Sequence, residues 1–332
     1  MTATALTERP QRPNPLARLA NRVEHSLWFP IGVVLALFVF FSFATDSFAT
    51  LRNFSAVSGQ AATLLIVCLG ATFIVLMGSI DLSVGAIVLL VGASSVSILN
   101  ATDIGLFAIP VAALIGAGLG LVNGLIYTKG RIPSFIVTLG TLSVFSGIAL
   151  TLLDGRAIQF NAPGFEEISI GQLVPRLPNI ALWAILAWAV LVLVGLRTRF
   201  GRYMYLIGGG EQVARTAGVP VERYKIYAFA LSGLLAGLGA ILAVARLGAA
   251  GPSLGSDLLL NSLAAIVVGG TSLSGGVGGV HRTLIGVLII AILDNGLNLM
   301  GVSQFLQMII KGVVVIAAVL VSRTASAGQV IK

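Results

Sequence analysis

Apolar residues run along this chain in continuous blocks, not at every second position and not only on one helical face. From Leu27 to Val321 the blocks recur at 17 residues or more, separated by short polar or glycine-rich breaks. Wound as a helix, a run of that length crosses a hydrocarbon core about 30 Å thick. Strict alternation, the mark of a membrane barrel, is absent. The pattern predicts an all-α integral membrane protein with ten spans, near 27–44, 57–77, 83–99, 106–128, 133–153, 179–196, 223–247, 258–275, 283–300 and 304–321. It divides the chain into a basic tail (1–26), one transmembrane domain (27–322) and a short C-terminal tail (323–332). The first tail carries Arg9, Arg12, Arg18 and Arg22 without a convincing cleavage site, which reads as an uncleaved anchor.

Composition agrees with that picture: 57% of residues are apolar and 10% charged, against about 25% charged in soluble domains. The net charge of +8 reports orientation, not affinity for nucleic acid, because cytoplasmic loops retain Lys and Arg. With both termini inside, the segments 1–26, 78–82, 129–132, 197–222, 276–282 and 322–332, with the span ends beside them, hold fifteen of the twenty basic residues. Only Arg52, Arg156, Arg176, Arg246 and the intraspan Lys311 fall elsewhere. Cys68 is the sole cysteine, so intrachain disulfides and cysteine metal sites are excluded. His25 and His281 are far apart, and no metal site is expected.

The two halves repeat. "GSIDLSVGAIVLLVG" (78–92) is similar to "GSDLLLNSLAAIVVGG" (255–270), pairing Asp81 with Asp257 at an offset of 176. "NGLIYTKG" (123–130) answers "NGLNLMG" (295–301) at an offset of 172. Five spans is an odd number, so the second copy must be inverted, an arrangement common in transporters. Chance similarity between apolar helices is the alternative.

One stretch, 197–222, is compact and charged. Its core "EQVARTAG" predicts a short helix with Glu211 and Arg215 four residues apart, a pair contributing on the order of 0.3 kcal/mol. Val213, Ala214 and Ala217 give it a small apolar surface. Gly218 suits the left-handed position after the helix and Pro220 prevents continuation. Gly208, Gly209 and Gly210 permit a sharp entry turn. Such an element fits a groove on a partner; an amphipathic helix on anionic lipid, beside Arg197, Arg199 and Arg202, fits equally well.

"GRYMYLIGGGEQVARTAGVPVERYK" resembles the cytoplasmic coupling loop of ribose-type ABC sugar permeases. "GSIDLSVGA" (78–86), "AAIVVGGTSLSGGVGG" (264–279) and "NGLNLMGVSQFLQMIIKG" (295–312) match further signatures of that family in the same order. The resemblance implies a multi-pass permease subunit of a bacterial inner-membrane importer, not an enzyme, paired as a homodimer. It implies a coupling helix docked on a separate cytoplasmic ATPase that binds ATP and Mg, and an extracytoplasmic binding protein that delivers a monosaccharide or related polyol. Coupling would fall to Gly201, Glu211, Ala214, Arg215, Gly218 and Val219. The chain lacks G-x-x-x-x-G-K-[ST], so it carries no Walker A loop of its own and needs no cofactor. A branched-chain amino acid or nucleoside permease is the nearest alternative, and an ion-coupled secondary transporter a more distant one.

Remaining candidates lie in or beside the spans. Asp81, with Ser83 and Gly85, opens the third span, as capping residues or part of a solute path; Asp257 reads the same way. Asp294 and Lys311 lie roughly 10–13 Å below a shared turn and are expected to pair structurally. Family members more often carry Asn at the first position. Asn295, Asn298 and Gln304 fit either a sugar path or interhelical bonding. Gly116, Gly118, Gly120 and Gly124 mark close helix packing. Segment 154–178 is a polar outer connection, and Arg246 lies in "ARLGAAGPSLGSD", which resembles a family stretch facing the binding protein.

Overall fold

The structure is a computed structural model that describes residues 15–327. Its helices are α1 (Pro15–Ala44), α2 (Leu51–Leu76), α3 (Val84–Ala101), α4 (Ala108–Lys129), α5 (Ser134–Leu153), α6 (Glu167–Ile170) and α7 (Asn179–Arg197). They continue with α8 (Arg199–Gly209), α9 (Glu211–Thr216), α10 (Val221–Leu247), α11 (Leu258–Val268), α12 (Val280–Leu299) and α13 (Gln304–Ala327). A two-residue ribbon, β1 (Ile158–Gln159) against β2 (Ala249–Ala250), ties the 154–178 connection to the end of α10.

Seven helices among the described residues are long and apolar enough to cross a membrane: α2, α3, α4 with the turn before it, α5, α7, α10 and α12. The other three expected spans contain shorter apolar helices, at Pro30–Ala44, Leu258–Val268 and Gln304–Ala317. The largest departure is the span expected at 258–275. Its helix ends at Val268, and Gly270, Gly275, Gly276, Gly278 and Gly279 all adopt positive φ in the loop that follows. Eleven residues rise about 16 Å, roughly half a bilayer core. At the N-terminus, helix α1 starts at Pro15, inside the segment expected as a tail; residues 1–14 and 328–332 lie outside the described part.

α2 and α10 form the buried centre, and α4, α5 and α7 turn much of their surface outward. Leu114, Leu139 and Leu193 stand exposed on that outer shell, which suits lipid because hydrocarbon solvates apolar side chains. Backbone proximity sets the central contact. A Cβ on Gly116 would overlap the Gly233 carbonyl oxygen, one on Gly120 would overlap that of Phe229, and one on Gly237 would overlap that of Ala112. Without a hydrophobic drive between helices in lipid, such close van der Waals approach is a main source of association. Gly118, expected at this contact, faces open space.

α4 lies on α10 and α12 lies on α2; α3 contacts α4, α5 and α10, while α11 contacts α12, α13 and α2. α3 and α11 meet at their N-terminal ends, where Gly85 and Gly255 each present a carbonyl to the other's Cα and leave no room for a Cβ.

Candidate functional site

The charged segment is built by local chemistry. Thr198 Oγ1 accepts from Gly201 N at 3.4 Å and opens α8, and Gly201 packs against the backbone of Gly195, which keeps the α7–α8 turn tight. Gly208 lies inside α8, against the Leu76 carbonyl and Gly276 N, so its role is close approach and not the expected entry turn. Gly276 N donates to Leu76 O at 2.9 Å, and Tyr205 Oη donates to Gly278 O at 3.0 Å. Helix α8 therefore rests on both the end of α2 and the glycine-rich 269–279 loop.

α9 ends in a pair of backbone hydrogen bonds. Val219 N donates to Ala214 O and Gly218 N to Arg215 O, both at 3.0 Å, with Gly218 at φ +79°. This is the Schellman termination, completed by an apolar contact between the residues that flank it. Ala214 and Val219 are accordingly buried, while Val213, Thr216 and Ala217 are exposed. The expected apolar surface thus has two sides: Ala214 turns inward and Val213 and Ala217 outward.

Glu211 is the anchor. Its Oε1 accepts from Arg215 at 2.9 Å and its Oε2 from Lys225 at 2.7 Å. Arg215 also reaches Glu222 at 3.7 Å. Lys225 is buried on α10, with Nζ 4.6 Å from the centre of the Tyr127 ring of α4. Burial pushes the Glu211 carboxyl up, but the hydrogen bonds and positive charges of Lys225 and Arg215 outweigh it and hold it below the ordinary carboxylate range. Tyr127 Oη lies 3.1 Å from Ser79 Oγ, on the stretch leading into α3. Spacing along the chain does not reveal Lys225 or Tyr127: the turn at Gly218 and Pro220 separates Glu211 from Lys225, and Tyr127 comes from α4.

That stretch contains Asp81, Ser83 and Gly85. Asp81 does not cap α3: its Oδ1 accepts from Ser83 N at 2.8 Å and Ser83 Oγ at 2.6 Å, and Ser83 holds the N-cap position without a side-chain cap bond. Asn123 Nδ2 donates to Ser83 Oγ at 2.7 Å, and Thr138 Oγ1 accepts from Leu82 N at 3.0 Å. Side chains of α4 and α5 thereby fix the entry to α3. Asp257 occupies the N-cap position of α11, again with no side-chain cap bond.

Lys311 Nζ lies 3.2 Å from Asp294 Oδ1, with both side chains nearly buried. Asn261, one turn beyond Asp257 and not among the sequence candidates, donates to Asp294 Oδ2 at 3.3 Å. Asn295 exchanges two 2.9 Å hydrogen bonds with Asn53 and so joins α12 to α2. Asn298 and Gln304 are exposed. Arg246 does not stand free on the surface: it is half-buried and lines a cavity with Gln60, Thr63, Asp257, Asn261 and Asp294. No group of three metal-ligating side chains occurs among the described residues.

Seven apolar spans and a charged segment seated across their ends define a multi-pass membrane protein. The family described as branched-chain amino acid transport system / permease component matches residues 53–319, and the chain belongs to that permease family. It is 39% identical over 295 residues to the ribose import permease protein of Escherichia coli K12, covering 87% of this chain and 91% of the relative. It is 41% identical over 302 residues to the ribose import permease protein of Bacillus subtilis strain 168, covering 90% and 94%. The D-allose transport system permease protein of Escherichia coli K12 is 31% identical over 304 residues, covering 91% and 92%. No solved structure matches. The chain is thus a transport component and not an enzyme.

Proposed function

We propose that this chain is the membrane-spanning subunit of a bacterial inner-membrane ATP-binding-cassette importer for a monosaccharide or related polyol. The sugar reading rests on relatives named for ribose and allose at 31–41% identity over about nine-tenths of the chain. The family's own description names branched-chain amino acids, the alternative substrate class.

The observation that carries the coupling reading is α9 itself: a helix closed by a Schellman turn, held to α10 by Glu211–Lys225, and presenting Val213, Thr216 and Ala217 outward. A cytoplasmic ATPase, holding ATP and Mg, docks there. Gly201, Glu211, Arg215 and Gly218 shape the segment, and Ala214 and Val219 seat it. A binding protein delivers the sugar from outside, and a second copy of the chain completes the pore. The paired contacts of α2–α5 and α10–α13 support a repeat of the two halves, and the Lys and Arg excess in the segments assigned inside supports ten spans in an inverted five-plus-five arrangement with both termini inside. Alternating access then follows from movement of α9 relative to the α3 and α11 ends, with each state favoured by its differential affinity for nucleotide and solute.

The test is uptake of radiolabelled D-ribose and L-leucine into vesicles that contain the chain and its native partners. ATP-dependent D-ribose uptake that survives an ionophore supports the proposal. L-Leucine uptake alone would replace the substrate class, and uptake abolished by the ionophore with ATP intact would replace the mechanism.

A further inference from the structure

We propose, resting on the coupling reading above, that the groove between α9 and the α4–α5 turn is a second docking contact for the partner ATPase. It takes a carboxylate-bearing segment of that partner, and Arg131 is the side chain that holds it.

The groove holds about 360 Å³ and runs between the end of α4 at Tyr127, the turn at Arg131 to Pro133, α9 at Glu211 and Arg215, and the start of α10. Arg131, Ile132 and Pro133 are exposed, so its mouth is open to a macromolecule. Its size relative to α9 matters. Six helical residues rise about 9 Å, whereas a specific interface covers about 800 Å² on each side, a patch roughly 30 Å across. A partner seated on α9 must therefore reach well beyond it. Glu211 and Arg215 belong to both α9 and the groove wall, so the two surfaces are continuous.

The charges of the groove leave one cation over. Glu211 is shared by Arg215 at 2.9 Å and Lys225 at 2.7 Å, and Glu222 lies 3.7 Å from Arg215. Arg131 makes no ion pair among the described residues. On the rim, Lys129 and Arg223 are exposed and likewise lack a carboxylate. Segments 129–131 and 197–225 together hold eight basic residues and two acids, Glu211 and Glu222, both already paired. The complement of that surplus is an acidic surface. A planar guanidinium with free N–H groups binds a carboxylate through two parallel hydrogen bonds.

The backbone singles out the same residue. Arg131 adopts φ +55°, in the left-handed region that favours glycine. Its neighbour Gly130, which could take that conformation freely, has an ordinary φ of −73°. An arginine held in an unfavourable backbone conformation at the mouth of a groove marks the side chain, not the turn, as what the position uses.

The test titrates the full chain, held in nanodiscs of pure phosphatidylcholine, with the purified ATPase that accompanies the wild-type chain. Arg131→Gly removes the guanidinium and suits the positive φ, so its melting temperature should match the wild type. Its affinity for the ATPase should fall about tenfold, and that of Arg131→Glu further, while Arg131→Lys keeps most of it. Added NaCl should weaken the wild type more than Arg131→Gly. Arg131→Gln gives the same readout if the glycine variant fails to assemble. Variants that bind as the wild type does would overturn the contact and leave docking on α9 standing. A loss that appears only when the nanodiscs contain phosphatidylglycerol would also overturn it, and would give Arg131 to a lipid headgroup. A wild-type chain that holds no ATPase at all would remove the coupling reading and this contact with it.

Discussion

At the residue scale the decisive side chain is Lys225, buried and held between the Glu211 carboxylate of α9 and the Tyr127 ring of α4. Removing Glu211 strands that charge, whereas removing both charges does not. Glu211→Gln should therefore lower stability by on the order of 1.5–3 kcal/mol, and Lys225→Met should recover part of the loss in the double variant, read as melting temperature in detergent. The lowered Glu211 carboxyl fixes the pH behaviour. A group with a depressed folded pKa stabilises above its unfolded value, about 4.3, and the effect is lost as pH falls through the folded value. The melting gap between wild type and Glu211→Gln should hold from neutral pH to about pH 4.3 and close only below it. A gap that closes near neutral pH would point to a different titrating group. Deeper in the membrane, Lys311→Ala should cost about 3–5 kcal/mol by leaving Asp294 unpaired, and adding Asp294→Asn should restore most of it.

At the element scale, legibility followed locality. Helix α9 is legible because its signals, an acid–base pair, a glycine and a proline, fall within ten residues. The shortness of α11 could not, because "AAIVVGGTSLSGG" keeps an apolar average through its break, and only the positive-φ glycines reveal it. Asp81 looked like a helix cap on spacing alone, yet its carboxylate folds back on Ser83, a choice set by Asn123 and Thr138 from other helices. The glycine row on α4 was legible as packing, although only its spacing against α10 shows that Gly118 is outside the contact. Gly120→Leu should separate α4 from α10 and abolish folded yield, whereas Gly118→Leu should be tolerated, as measured by size-exclusion recovery. Equal yields would show that the two helices do not need their backbone contact.

At the scale of the whole molecule, contacts run from the exposed face of α9 to the interior. Glu211 holds Lys225, Lys225 lies over Tyr127, Tyr127 meets Ser79, and the stretch from Ser79 to Ser83 leads into α3 beside Gly255. These contacts make a continuous chain from α9 to the place where the N-terminal ends of α3 and α11 meet. The sequence showed the two ends of this route, the charged segment and the "GSIDLSVG" signature. It hid the middle, because Lys225, Tyr127 and Ser79 are brought together only by the packing of α4 on α10. The polar cavity was hidden for the same reason, since Thr63, Asn261 and Arg246 come from three helices.

The most direct measurement is gentle purification of the chain from its native membrane, with and without Val213→Asp and Ala217→Asp. Both residues lie on the exposed face of α9, and the changes spare the buried Ala214 and Val219. The expected result is that an ATPase co-purifies with the wild-type chain in stoichiometric amount and is lost from the variant, whose melting temperature is unchanged. A chain that purifies alone under several mild conditions, and still moves solute in vesicles without ATP, would contradict it.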